Sequence, residues 1–515
     1  MKRVIYNTSN ADPFIKVAQK LKLDYGFEPV YWIGFNYDNS EKLVSAAFPG
    51  ICYQSYADAW RGRFNEQIQQ KAVECYIDID LLNALSRYEL QAIKMMDRLD
   101  FDRYSFNFME RERHFLNLIK SWLAVFELYR PDIVIGATNP HRVYDYVLYL
   151  LCKKAEIPFV SLQYSMCTEW TWINTNIYSL EGQFDNSYQK YLERGNLTKE
   201  DLPIEIKKEY ERVVQDYSVA IPYYMVEHKK DSKKQLHLLP LIKVYLKKYS
   251  LFGKDGILTH GKVPSLMRKR KDYSLEEGGL TLINSISQKL KQVSYCKKMT
   301  KFYSSLTTLP RPDEKYILCA LHYQPEETTS PSGDIFVNQR LCVETLLKNT
   351  PNDVYIYVKE HPTQYMPHQL GQTSRIKEFY LDLVKSPRVK LIPMEYNTYS
   401  LITGSIAVST IVGTIGWEAI MHRKPVIMFG MFWYERMPGV LRVTDSQSAT
   451  KIYDFITNYK YDEQKVLAYL MAFADNAFKC YQYDGMKERM NLPENECVDN
   501  IVNAIIQCVK NLESH

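Results

Sequence analysis

The sequence predicts an α/β protein of two doubly wound units facing a cleft, with a helical insertion between them. Three observations carry this. Short apolar, β-branched runs alternate with helix-competent stretches over 1–174 and again over 306–480, the pattern of parallel sheets. The intervening 175–305 is rich in Lys, Tyr and Leu and has few strand candidates. At 515 residues and 46% hydrophobic, the chain exceeds what one compact core accommodates.

In chain order, RVIY (3–6) reads as a strand, followed by a helix from about Pro13 and a second strand, PVYWIGF (29–35). ERERHFLNLIKSWLAVFELY (110–129) has the spacing of an amphipathic helix. Strand PDIVIGA (131–137), a helix over 143–155 and strand PFVSLQY (158–164) complete the first unit. The second unit offers five strands: YILCAL (316–321), VYIYV (354–358), VKLI (389–392), IAVST (406–410) and PVIMF (425–429). Helices near 463–478 and 496–511 are expected to close the chain, the segment 481–515 crossing back to the first unit.

Composition narrows the class. The net charge is +5, but 228–298 holds 17 Lys/Arg against 5 Asp/Glu, +12, which leaves −7 for the rest. Such a basic segment, including LHLLPLIKVYLKKYSLF (236–252), suits an anionic membrane surface, or is a solvated helical face. Nothing points to nucleic acid. The ten cysteines are scattered without a Cys-x-x-Cys pair, as expected for reduced thiols. The chain opens on a strand, and no apolar run approaches the roughly 18–20 residues of a membrane span. A cytoplasmic protein, at most peripheral at the inner membrane, is expected.

Three stretches carry chemistry. In AVSTIVGTIGWEAIMHRKPVIMFG (407–430) a strand ends at Ser409-Thr410, and a turn with Gly413, Thr414 and Gly416 opens a helix. Glycines let backbone approach an anion, and helix N-terminal amides donate to it, which makes a phosphate cradle. Glu418, expected in the first helical turn, suits ribose hydroxyls; a Gly-rich turn with a capping glutamate is the plainer alternative. In VYIYVKEHPTQY (354–365) a strand stops at Lys359-Glu360-His361-Pro362. With VYIYV and IAVST as neighbouring strands, His361 would donate to the same phosphate and Lys359 would supply charge, whereas His361 alone would merely cap a turn.

The third stretch, LHYQPEETTSPSGDIF (321–336), crowds Gln324, Glu326, Glu327, Thr328, Ser330 and Asp334 at the same sheet edge. Carboxylates near a phosphate are costly unless they serve chemistry at the adjacent carbon; the alternative is a solvated acidic loop. In an extended loop Glu326 and Glu327 would point oppositely, so that one at most reaches the reacting carbon. On the first unit, Glu169 and His141 each follow a strand end and are candidate bases on the acceptor side.

Val358-Lys359-Glu360-His361-Pro362, the run Gly413 to Ala419 with Lys424-Pro425-Val426, and the Glu-rich loop resemble the bacterial capsule polysaccharide synthesis proteins, which include the β-Kdo transferases. Their His-Pro motif also recurs in bacterial sialyltransferases and polysialyltransferases. The resemblance covers roughly 315–435. It implies a GT-B fold of two Rossmann-like domains, an acceptor-side one over 1–174 and a nucleotide-sugar-binding one over 306–480. It also implies donor-phosphate contacts from His361, Thr410, Gly413 and Thr414, with ribose contact from Glu418. Gln324 joins the donor-binding set. The aspartate proposed as nucleophile in the Kdo transferases has no counterpart here: Glu327 or Thr328 stands near its place, and the next aspartate is Asp334.

The expected function is therefore transfer of a sugar, CMP-linked Kdo or a sialic-acid-like residue among the candidates, from a nucleotide donor to a growing surface polysaccharide or glycolipid. The nucleotide sugar is substrate, and neither cofactor nor metal is expected. A UDP-sugar epimerase, a glycerophosphotransferase or a non-catalytic nucleotide-sugar scaffold are the alternatives.

Overall fold

The computed structural model describes residues 1–7, 9, 11–35, 39–100, 106–165, 170–180, 182–215, 282–367, 369–482 and 484–513. Glu169 and most of the basic segment, 228–281, lie outside them.

The first unit comprises β1 (Lys2–Asn7), α1 (Ala11–Tyr25), β2 (Phe27–Gly34), β3 (Cys52–Ser55), α2 (Ile79–Met95), α3 (Phe108–Tyr129), β4 (Ile133–Gly136), α4 (Val143–Lys154), β5 (Phe159–Tyr164) and β6 (Thr171–Asn174). Alternation along β1 sorts the core onto two faces. Ile5 packs towards α2, α3 and α4, whereas Val4 and Tyr6 pack towards α1 and the last helix of the chain. A capping box at Asn107 and Glu110 starts α3 by satisfying two orphan amides. Strands β3, β2, β1, β4 and β5 run parallel, and β6 turns back antiparallel to β5.

Beyond β6 the chain passes to the second unit. Helices α5 (Asp185–Arg194), α6 (Ile204–Gln215) and α7 (Leu282–Leu306) are helical as expected for 175–305, but they do not stand apart. Phe184, Tyr191, Ile206, Met299 and Tyr303 are buried in the second unit's own core. Helical periodicity reports an apolar face without naming the core that covers it.

The second unit follows: β7 (Lys315–Ala320), β8 (Val354–Lys359), β9 (Val389–Ile392), β10 (Ala407–Thr410), α8 (Thr414–Met421), β11 (Val426–Met428), β12 (Val440–Arg442) and α9 (Glu463–Asp475). The order is β12-β11-β10-β7-β8-β9, all parallel. Strands β8 and β10 are thus not neighbours as expected, because β7 lies between them. The carboxylate loop after β7 therefore emerges between the two phosphate motifs. The chain then returns: β13 (Ala477–Phe478) pairs with β6, and α10 (Glu494–Glu513) packs on α1. Two facing parallel α/β units make the GT-B arrangement.

One buried ion pair fixes the second unit's loops. Arg375 Nε donates to Glu360 Oε2 at 2.9 Å, with side chains 1% and 0% exposed. The same guanidinium donates to Gln324 Oε1 and, at 3.2 Å, to the His322 carbonyl. Removing one member strands a buried charge, so Glu360→Ala should lower the unfolding free energy by about 3–5 kcal/mol. Urea unfolding followed by circular dichroism checks this; a loss under about 1 kcal/mol would contradict the role given to the pair.

Candidate functional site

The carboxyl ends of both sheets meet at a cleft of about 950 Å³, which suits a ligand of nucleotide-sugar size. From the second unit come His322, Glu326, Glu327, Lys359, His361 and the turn 412–415 with Glu418; from the first come Trp60, Arg98, Thr138, Asn139, His141 and Gln163.

On the phosphate side, His361 Nδ1 accepts from the Thr363 amide at 3.3 Å and pairs with the Thr363 hydroxyl at 2.7 Å. An N–H donates, so Nδ1 is the acceptor and the neutral ring carries its proton on Nε2. Lys359 Nζ donates to the Thr398 hydroxyl at 2.8 Å while lining the cleft. In the turn, His322 Nε2 accepts from the amides of Ile411 at 3.1 Å and Val412 at 3.3 Å and lies 2.9 Å from Thr410 Oγ1, which itself accepts from the Gly413 amide at 3.1 Å. Burial, with the Arg375 cation adding to it, lowers His322 to about 3, keeping Nε2 unprotonated for those bonds.

Three amides of the expected cradle are therefore consumed internally. The first helical amides, Thr414 and Ile415, have no partner among the described residues and line the cleft. Gly413 is required here because a Cβ would meet Thr410 Oγ1 at 2.9 Å and His322 Cε1 at 3.2 Å. The helix begins at Thr414, which moves Glu418 past the first turn where it was expected. Its Oε1 accepts from the Thr414 hydroxyl at 3.2 Å, a contact that orders the helix start.

On the opposite side, Glu326 accepts from the Thr328 hydroxyl at 3.0 Å and is exposed. The loop is not extended: the amides of Thr329 and Ser330 both donate to the Glu326 carbonyl, at 3.1 and 2.9 Å. This tight turn puts Glu326 and Glu327 on the same cleft, contrary to the opposed directions expected. Glu327 Oε2 lies 3.9 Å from His141 Nδ1. Its side chain is 35% exposed, yet protein from both units surrounds it, and the carboxyl is pushed up to about 7. Burial is the main cause, with Glu326 and Asp145 adding to it against Arg98 and Arg142. His141 donates from Nδ1 to the Asn139 carbonyl at 2.7 Å, which leaves Nε2 as acceptor. Burial first, then Arg142 and Arg98, holds it well below the usual imidazole range.

Two expected site residues face elsewhere. Gln324 Nε2 donates to the Val337 carbonyl at 2.7 Å and its Oε1 accepts from Arg375, so its amide braces the loop from inside rather than binding donor. Asp334 pairs with Arg87 across the two units at 3.1 Å, away from the residues lining the cleft. Neither direction is readable from composition. Sequence reasoning passed over His322 and Arg98. His322 follows a strand end just as His361 does, which was a usable signal; Arg98 closes the α2 region and carries none.

Residues 330–482 match the family described as "Capsule polysaccharide biosynthesis protein". No curated protein matches the chain. Solved structures with a similar course include the UDP-GlcNAc 2-epimerase of Methanocaldococcus jannaschii in complex with UDP-GlcNAc and UDP. It is 12% identical, covering 90% of this chain and 94% of that one, with a TM-score of 0.24. The β-Kdo 2,4 transferase KpsC of Thermosulfurimonas dismutans is 13% identical over 73% of this chain and 87% of that one, TM-score 0.27. HepE of Anabaena, in complex with UDP and glucose, is 10% identical over 100% of both chains, TM-score 0.21. At such scores these likenesses carry no argument about chemistry. The family match takes in the strand-end motif 359–362, the turn 410–416 and Glu418, and over those residues the chain is similar to that family.

Proposed function

We propose that the protein is a glycosyltransferase of bacterial surface polysaccharide assembly. It takes a sugar from a nucleotide donor, CMP-linked Kdo or a sialic-acid-like sugar among the candidates, and passes it to a growing glycan or glycolipid. One observation carries this reading: a single cleft has hydrogen-bond donors for a phosphate on one wall and a carboxylate–imidazole pair on the other.

In this reading His361 Nε2–H and the amides of Thr414 and Ile415 hold the donor phosphate, with Lys359 supplying charge. Glu418 lies towards the ribose, and Thr410 and Gly413 shape the turn. The bond between the anomeric carbon and the phosphate oxygen breaks, and the phosphate keeps the electron pair. The acceptor hydroxyl oxygen bonds to that carbon, and its proton passes to the Glu327–His141 pair. Glu326 is the second carboxylate on that wall. The nucleotide sugar is the only co-substrate required. Among the described residues no helix is long and apolar enough to cross a membrane; contact with an anionic leaflet through 228–298 is part of the proposal.

Incubating the protein with CMP-, UDP- and GDP-sugars, with and without a glycolipid acceptor, tests the reading. Transfer that depends on acceptor is expected, whereas sugar isomerisation without acceptor would establish an epimerase instead. His361→Ala and Thr414→Pro, which removes the amide at a first helical position that tolerates proline, should each weaken nucleotide binding by about 1–3 kcal/mol in calorimetry, with folding retained. Unchanged affinity in both would remove the phosphate assignment.

Glu327→Gln should leave donor affinity within about threefold and lower turnover at least about 10²-fold. Its ionised form is the working one, and its proton leaves near pH 7. So kcat/KM should rise about tenfold per pH unit below that value and level off above it. The same acid limb persisting in Glu327→Gln would assign it to another group.

A further inference from the structure

Helix α2 and the 3-10 turn that follows it, Met96–Arg98, lie across the carboxylate loop of the other unit. Arg87 pairs with Asp334 at 3.1 Å. Gln91 exchanges hydrogen bonds with the Thr329 carbonyl and the Ser330 hydroxyl, both at 3.4 Å. Arg98 donates to the Ser330 carbonyl at 3.4 Å through one guanidinium nitrogen and to the His141 carbonyl through the other. Residues 87 and 91 are about one helical turn apart and so share one face of α2, and Arg98 continues their line of contact from the turn that follows.

Arg98 differs from the other two because it also lines the cleft and reaches loops of both units. We propose that Arg98 is a positioning residue whose guanidinium ties the His141 loop of the first unit to the Glu327 loop of the second, setting the imidazole against the carboxylate. The catalytic consequence rests on the transferase reading above; the tie itself does not. A guanidinium suits the task, since its planar fork fixes two acceptors at once where an ammonium fixes a point.

Its charge has a second effect. Around Glu327 stand Glu326 on its own loop, and Arg98, His141, Arg142 and Asp145 on the first unit. The two negative groups favour the protonated carboxyl, and Arg98 opposes them more strongly than Arg142 does. Without it, Glu327 holds its proton to higher pH.

Hydrogen-exchange mass spectrometry of the full chain tests the tie without relying on turnover. In Arg98→Met, peptides spanning 138–142 and 324–332 should both exchange faster, by at least about threefold, while β1 and β8 keep their protection. In the transfer assay kcat should fall at least about tenfold with donor KM changed less than about threefold, and the acid limb should move to higher pH. Arg98→Lys should return the limb towards its original position while leaving the loops loosened. Unchanged exchange in both loops overturns the proposal, whatever happens to activity. Loosened loops in a protein that transfers no sugar would keep the tie and discard the transferase reading. Should Arg98→Met not fold, exchange in Arg98→Lys alone decides, with unloosened loops again overturning the proposal.

Discussion

The buried Arg375–Glu360 pair is the constraint on which the site depends. A guanidinium with almost no solvent must find acceptors for its donors, and those it finds belong to two loops. Glu360 is on the loop after β8, and Gln324 with the His322 carbonyl is on the loop after β7. Glu360 Oε1 also accepts the amide of His361 at 2.8 Å, so the imidazole is set by the residue beside it. His322, placed by Arg375 and by paired bonds with Gln339, then pins the amides of Ile411 and Val412. One cation thereby orders three loops from beneath, and Glu360 is spent as its counter-ion rather than left facing an anionic ligand.

In the proposed reading, the strand order lets carboxylates and a phosphate site coexist. With β7 between β8 and β10, its loop rises between the 359–362 and 410–416 motifs and leans towards the first unit, where Arg98 and Arg142 offset its charge. Burial acts on Glu327 and His141 in opposite senses, raising the acid and lowering the base, because the charged form of each is the costly one. Both are driven towards neutrality, so the wall between the units holds little buried charge while its acid and imidazole stay 3.9 Å apart.

What the sequence disclosed follows from which information is local. The central strands of the second sheet are apolar runs buried on both faces, and all five were legible to within a residue or so, as was α3 from its periodicity. Strands β3 (CYQS), β6 (TWIN) and β12 (VLR) have less of the apolar, β-branched character of those runs, and α2 went unassigned. Neighbour relations between strands are long-range and left no local mark, so β7 was not foreseen between the motifs. Residue type brought Glu326, Glu327, His361, Thr414 and Glu418 to the cleft. Side-chain direction within a loop, which separates Glu327 from Gln324 and Asp334, depends on turns and partners far along the chain.

The chain crosses between units twice among the described residues, after β6 and before β13, and those two strands are hydrogen-bonded, Ala477 opposite Trp172. Both crossings thus lie along one line, and a relative rotation of the units about it breaks no strand pairing. Elsewhere the units meet through α2 and its turn, by polar contacts of 3.1–3.4 Å rather than a continuous apolar core. An apolar interface would hold the cleft in one geometry, whereas hydrogen bonds exchange with water at small net cost. Gln482 and Met486, just beyond the return crossing, line the cleft itself, so a rotation about that line is felt at the site. A hinge on one side and a polar fastening on the other leave the fold free to vary the width of the cleft, and with it the distance between the units that carry Glu327 and His141.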